Sequence, residues 1–125
     1  MRVLIVEDDN AVRQAFSKIL EQAGFVVVQA PDADHAFSEI KKSSKFDAVV
    51  CDVALPGLEG TAFFEHLSQH NPELADRLVF VTGYSRDDNT KKLLEHTGRP
   101  FLTKPVDVKD FLAAVVRTAQ HPGAK

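Results

Sequence analysis

Side chains able to do chemistry stand directly after four short apolar runs. Glu7, Asp8 and Asp9 follow residues 3–6, Asp52 follows residues 47–51, Thr82 follows residues 78–81, and Lys104 follows residues 100–103. Carboxylates crowded into one place repel each other, and their proton affinities rise unless a cation intervenes. Oxygen donors without His or Cys point to a hard cation. Mg²⁺ fits best, since it uses one or two carboxylates, keeps several waters and leaves room for phosphate oxygens. An ionised Asp is a competent nucleophile toward phosphorus. Phosphoryl transfer then needs charge neutralisation and alignment more than acid–base chemistry. Lys104 would bring a second positive centre and Thr82 a hydrogen bond.

These groups act together only if the chain brings them together. Two periodicities alternate along it. Residues 3–6 form a continuous β-branched and aliphatic run stopped by acids, as a strand buried on both faces should. Val12, Ala15, Phe16, Ile19, Leu20 and Ala23 then recur at helical spacing, and Gly24 closes the pattern. Residues 25–28 read as a second strand. Asp32 is placed to cap a helix carrying Ala33, Ala36, Phe37 and Ile40, with lysines 41, 42 and 45 at its end.

Residues 47–51 form the third strand. The loop 55–60 leads to a helix with Phe63, Phe64 and Leu67, which Asn71-Pro72 breaks. Residues 78–81 form the fourth strand, and a polar helix runs from about residue 86 to 96 before Gly98. Residues 100–103 form a short fifth strand whose proline suggests a sheet edge. Asp107 caps a last helix with an inner face of Phe111, Leu112, Val115, Val116 and Ala119.

Five βα units in a row predict an α/β domain: a parallel sheet with right-handed crossovers and helices on both faces. Five such strands suit the order 2-1-3-4-5, and ligands in such sheets bind beyond the C-terminal ends of the strands. All the groups named above lie there.

Taken in order, Val6-Glu7-Asp8-Asp9, Asp52-Val53-Ala54-Leu55-Pro56-Gly57-Leu58-Glu59-Gly60, Val81-Thr82-Gly83 and Phe101-Leu102-Thr103-Lys104-Pro105 resemble the receiver domain of two-component response regulators. The likeness runs from about residue 1 to 119. No single motif decides it; four in sequence, each at its own strand end, are specific together. The resemblance implies a flavodoxin-like receiver fold and assigns roles. Asp52 would be the phospho-acceptor. Asp8, Asp52 and the Ala54 backbone carbonyl would ligate Mg²⁺, with Glu7 acting through a metal-bound water. Thr82 would be the switch hydroxyl, Lys104 the phosphate-pairing cation and Phe101 the switch aromatic. Ala54 and Tyr84 would modulate phosphoryl lifetime, small Ala54 giving water access and Tyr84 obstructing it. The Lys104–Pro105 bond would be cis, an isomer cheap only before proline.

The resemblance further implies a donor: a sensor histidine kinase or a histidine phosphotransfer protein. Its output surface would be the face of the fourth helix, fifth strand and fifth (last) helix, where phosphorylation could also pair two copies. The output partner itself is not legible. Two departures stand out. Glu7 occupies a place where the family often has Asp, and Phe101 one where it often has Tyr. Without a phenol, ring burial alone must carry that step of the switch; simple core packing is the alternative for Phe101.

Other residues take plainer roles. Asp9 reads as the cap of the first helix. His66 and His70 share an i, i+4 spacing that could bind a metal, but with no third ligand nearby they read as a solvated face. Cys51 packs as a small apolar residue.

Bulk properties limit the alternatives. One domain is expected over residues 1–120, with 121–125 a flexible tail. The chain is 44% hydrophobic and 26% charged, with a formal net charge of -3, which disfavours direct nucleic-acid binding. A single cysteine excludes an internal disulfide and a thiolate zinc cluster, and suits a reducing cytoplasm. No run is long and apolar enough for a signal peptide or a membrane span. The Met1 start favours an N-terminal or free-standing receiver.

Three competing functions fit these residues less well. A flavodoxin-type electron carrier would need a phosphate-cradling loop after the first strand, where Glu7-Asp8-Asp9-Asn10 would repel a flavin phosphate. An Asp-dependent phosphatase would need a second acid where Ala54 stands. A degenerate receiver acting only as an interaction module would not need the complete acceptor set.

Overall fold

The computed structural model describes residues 1–43, 45–54, 60–83 and 88–120. Its strands are β1 (Arg2–Val6), β2 (Val26–Ala30), β3 (Ala48–Asp52), β4 (Leu78–Thr82) and β5 (Phe101–Thr103). Its helices are α1 (Asn10–Gln22), α2 (Ala33–Lys42), α3 (Gly60–His70), α4 (Pro72–Ala75), α5 (Asp88–Thr97) and α6 (Val108–Gln120). All strand pairings are parallel, in the order β2-β1-β3-β4-β5, as the βα alternation predicts.

Burial on both sheet faces explains the continuous apolar strands. Alternate side chains point to opposite faces. Leu4, Val6, Val49, Cys51, Leu78 and Phe80 join one core cluster with Ala36, Phe63 and Leu94 of α2, α3 and α5. Val3, Ile5, Ala48, Val50 and Val81 join the other with Phe16 and Leu20 of α1 and Phe111 and Val115 of α6. Stacked rings tie helices in each layer: Phe16 on Phe111 at 4.5 Å, and Phe37 on Phe63 at 4.9 Å. Such pairs contribute about 0.5–1.5 kcal/mol beyond area burial. The edge strand β2 is less covered, and its Val26 is exposed.

The caps follow the sequence signals. Asp9 accepts from the Val12 N–H at 3.1 Å and Asp32 from the His35 N–H at 2.8 Å. Asp107 accepts from the Asp110 N–H at 3.1 Å. Gly24 and Gly98 carry positive φ (95° and 72°), conformations that favour glycine after a helix.

The second strand, expected at residues 25–28, runs from Val26 to Ala30, and one further helix is present. Asn71-Pro72 ends α3 but also starts α4. Asn71 Oδ1 accepts from the Leu74 N–H, and Pro72 stands in the first turn, where its missing N–H costs nothing. Leu74 and Ala75 of this turn are buried in the core. The helix assigned to residues 86–96 is described as α5, and the tail 121–125 lies outside the described residues.

Candidate functional site

The C-terminal ends of β1, β3, β4 and β5 bring Glu7, Asp52, Thr82 and Lys104 to one edge of the sheet. Backbone bonds fix each in place: the Glu7 N–H donates to Ala30 O at 3.1 Å, the Val53 N–H to Val81 O at 3.1 Å and the Lys104 N–H to Thr82 O at 2.8 Å. Parallel registry therefore continues past the strand ends and sets the depth at which each side chain enters the pocket. Glu7 is 1% exposed, Asp52 6% and Thr82 fully buried, whereas Asp8 is exposed. A cavity of about 410 Å³ opens between them, lined by the three acids of β1's end, Asp52, Ala54, Gly83 and Lys104.

The Lys104 ammonium donates to Glu7 Oε1 at 2.9 Å and to Asp52 Oδ2 at 3.0 Å. The remaining carboxylate oxygens are met by backbone: the Asp9 N–H reaches Glu7 Oε2 at 3.0 Å and the Ala54 N–H reaches Asp52 Oδ1 at 3.0 Å. Two nearly buried acids thus share one cation. Burial raises the Glu7 pKa to about 7, against the lowering effects of Lys104 and the Asp9 N–H; neighbouring Asp52 adds to the rise. Burial disfavours the Lys104 ammonium, but its bonds to Glu7 and Asp52 outweigh this, and its pKa is raised. Burial beside Asp52 and Glu7 also pushes the Cys51 thiol well up, so that it stays neutral.

Glu7, Asp8 and Asp52 each place a carboxylate oxygen within 4.8 Å of the other two. This all-oxygen, anionic set suits Mg²⁺, which prefers hard donors and accepts water in its remaining positions. Among the described residues, one ammonium faces three carboxylates in this pocket.

The other residues singled out fall as follows. Phe101 is half-buried and packs on the cluster containing Phe80 and Leu94. Ala54 is exposed at the pocket rim. The Lys104–Pro105 peptide is cis. Gly83 is exposed, and among the described residues beyond its chain neighbours a Cβ there would meet nothing within 4 Å. Tyr84 lies outside the described residues.

Sequence reasoning missed Arg13. Its guanidinium donates to the Glu7 carbonyl at 2.9 Å, to Gln29 Oε1 at 3.1 Å and to Asn10 Oδ1 at 2.6 Å. It ties the first turn of α1 and the end of β2 to the backbone of the acidic loop. Its sequence signal is a cation one turn after three acids, a pattern that any surface helix can carry.

Compared with known families, residues 3–116 match the response regulator receiver domain. The chain belongs to that family. Receiver domains are phospho-acceptor switches of two-component signalling rather than classical enzymes; they pair with histidine kinases and bind Mg²⁺ in an acidic pocket. The Glu7–Asp8–Asp52 cluster is compatible with such a pocket.

Among curated proteins this receiver is 33% identical over 109 residues to a cyclic di-GMP phosphodiesterase of Thermotoga maritima, covering 87% of the chain and 28% of that protein. It is 30% identical over 114 residues to the phosphate regulon transcriptional regulatory protein PhoB of Escherichia coli, covering 91% of the chain and 49% of that protein. The chain thus spans about half, or less, of the curated relatives it matches. Among solved structures, a CheY-like receiver domain protein of Methanospirillum hungatei superposes with a TM-score of 0.83 at 28% identity, covering 94% of this chain and 92% of that one. The Vibrio cholerae chemotaxis protein CheY4 does so with 0.81 at 26% identity, covering 94% and 97%.

Proposed function

We propose that this receiver takes a phosphoryl group onto Asp52 from the phosphohistidine of a sensor histidine kinase or a histidine phosphotransfer protein, with Mg²⁺ required. The observation that carries the proposal is the Lys104 ammonium held between Glu7 and Asp52 at the open end of the sheet. An Asp52 carboxylate oxygen forms the new bond to phosphorus, and the P–N bond to the donor imidazole breaks with its electron pair on nitrogen. Charge on the transferring group is met by preorganised donors, which cost no reorganisation during reaction. Lys104 pairs with one phosphoryl oxygen and Thr82 gives a hydrogen bond to another.

Asp8, Asp52 and the Ala54 carbonyl would hold the ion, with Glu7 acting through water. The bound ion supplies a second positive centre for the developing charge. Ala54 and Gly83 leave the site open to water, which favours hydrolysis of the phosphoryl group; Tyr84 is assigned the opposing role of cover.

Output follows from a two-state domain biased by the new charge. Phosphorylation adds roughly -1.5 to -2 charge and three strong acceptors. Thr82 moves to the phosphoryl group, Phe101 turns toward the space it leaves, and the face of α5, β5 and α6 is remodelled. That face is the site for an output partner or for pairing of two phosphorylated copies. The phospho-acceptor unit spans residues 1–120, works in the cytoplasm, and contacts neither nucleic acid nor membrane directly. Among the described residues no helix is long and apolar enough to cross a membrane.

Incubation with Mg²⁺ and phosphoramidate, a donor with a P–N bond, tests this by intact mass. Wild type should gain one phosphoryl group and Asp52→Asn none. Equal gain in both would reject Asp52 as acceptor.

A further inference from the structure

His66 and His70 lie one turn apart on the exposed side of α3, away from the acidic pocket. Their ring centres are 4.4 Å apart and their planes are tilted by 38°. The Phe37 ring sits 4.5 Å from the His66 ring and stacks in turn on fully buried Phe63, so one imidazole rests on an anchored aromatic pair. A cavity of about 260 Å³ adjoins both histidines, with Phe37, Ile40 and Leu67 as its apolar floor. The charged side chain on its lining is Lys41, exposed and therefore screened by solvent.

The ring separation matches that of two imidazoles bound side by side to one ion. With metal–nitrogen bonds of about 2.1 Å, each imidazole centre stands about 3.2 Å from the ion, and two rings at right angles about it are about 4.5 Å apart. We infer that His66 and His70 form a two-nitrogen chelate for a transition-metal ion on the exposed face of α3, with Cu²⁺ the best-fitting ion. Adjacent imidazole nitrogens suit the tetragonal geometry of Cu²⁺, which also heads the affinity order for such donors, while Mg²⁺ prefers oxygen. Water completes the remaining positions. The aromatic support under His66 reduces the rotamer freedom lost on binding.

The test is titration of the full chain with Cu²⁺ alone as probe, in saturating Mg²⁺ to occupy the acidic pocket. Binding is followed by electron paramagnetic resonance and by broadening of imidazole NMR signals. The His66 and His70 signals should vanish together before any other histidine, with a spectrum of two equivalent-type nitrogens and one ion per chain. His66→Gln and His70→Gln should each weaken binding about tenfold or more, because one nitrogen loses the effective concentration of its neighbour. His35→Gln should leave it unchanged. Circular dichroism checks that each variant folds, and the wild-type broadening pattern stands without any variant. Equal affinity in all three variants, or first broadening around Glu7, Asp8 and Asp52, would overturn the site.

Discussion

The ammonium of Lys104 stands 2.9 Å from Glu7 Oε1 and 3.0 Å from Asp52 Oδ2, a single cation joining the ends of β1 and β3 from the end of β5. Replacing it with an uncharged side chain leaves two nearly buried carboxylates facing each other. In Lys104→Met the metal-free domain should lose roughly 1–2 kcal/mol of stability, less than for a fully buried pair because the lysine is partly exposed. Phosphoryl incorporation should slow by about a hundredfold, the usual loss of one charge-stabilising donor. Chemical denaturation and a phosphoramidate time course check both, and unchanged incorporation would remove Lys104 from the chemistry.

Glu7 gives a pH dependence of defined sign. Its folded pKa is raised from 4.5 to about 7, chiefly by burial. Between those values the folded metal-free protein holds a proton that the unfolded chain has released. Its contribution to stability is therefore full below pH 4.5 and fades as pH rises through about 7. A cation in the pocket favours the ionised form, so Mg²⁺ should raise the melting temperature more at alkaline than at mildly acidic pH. Subtracting the Glu7→Gln profile from that of wild type isolates the group. A difference that rises with pH across this window would contradict the assignment.

Asp9 lines the pocket yet spends its side chain on the Val12 N–H. Asp9→Ser should keep the cap, the stability and phosphorylation. Asp9→Ala should cost about 1 kcal/mol, typical of a lost N-cap, while phosphorylation persists. A large loss of Mg²⁺ affinity in Asp9→Ser would make it a ligand instead.

Phe101 packs half-buried on the face containing Phe80. Phe101→Ala should leave phosphorylation of Asp52 intact. It should shrink the phosphorylation-induced NMR shifts across α5, β5 and α6. Undiminished shifts would leave the ring a packing role only.

Much of this molecule is legible in its sequence because its strands are buried on both faces and its helices on one. Residues 3–6, 47–51 and 78–81 allow little besides central parallel strands, and strand ends fix where Glu7, Asp52, Thr82 and Lys104 emerge. What stayed hidden depends on contacts between distant segments. Asn71-Pro72 reads as a break, yet burial of Leu74 and Ala75 makes it the start of a turn of helix. Arg13 looks like any surface arginine until the fold places the Glu7 carbonyl against it. The high proton affinity of Glu7 follows from its 1% exposure, which no local pattern reveals. The histidine pair shows its spacing in sequence, but not the Phe37 ring beneath it.

Borohydride reduction locates an acyl phosphate residue by residue, since it converts a phosphorylated aspartate to homoserine. After reaction with Mg²⁺ and phosphoramidate, peptide sequencing by mass spectrometry should find homoserine at position 52. It should be absent when Mg²⁺ is chelated. Homoserine at position 8 or 9, or equal yield without the ion, would contradict a pocket in which Asp52 is the nucleophile.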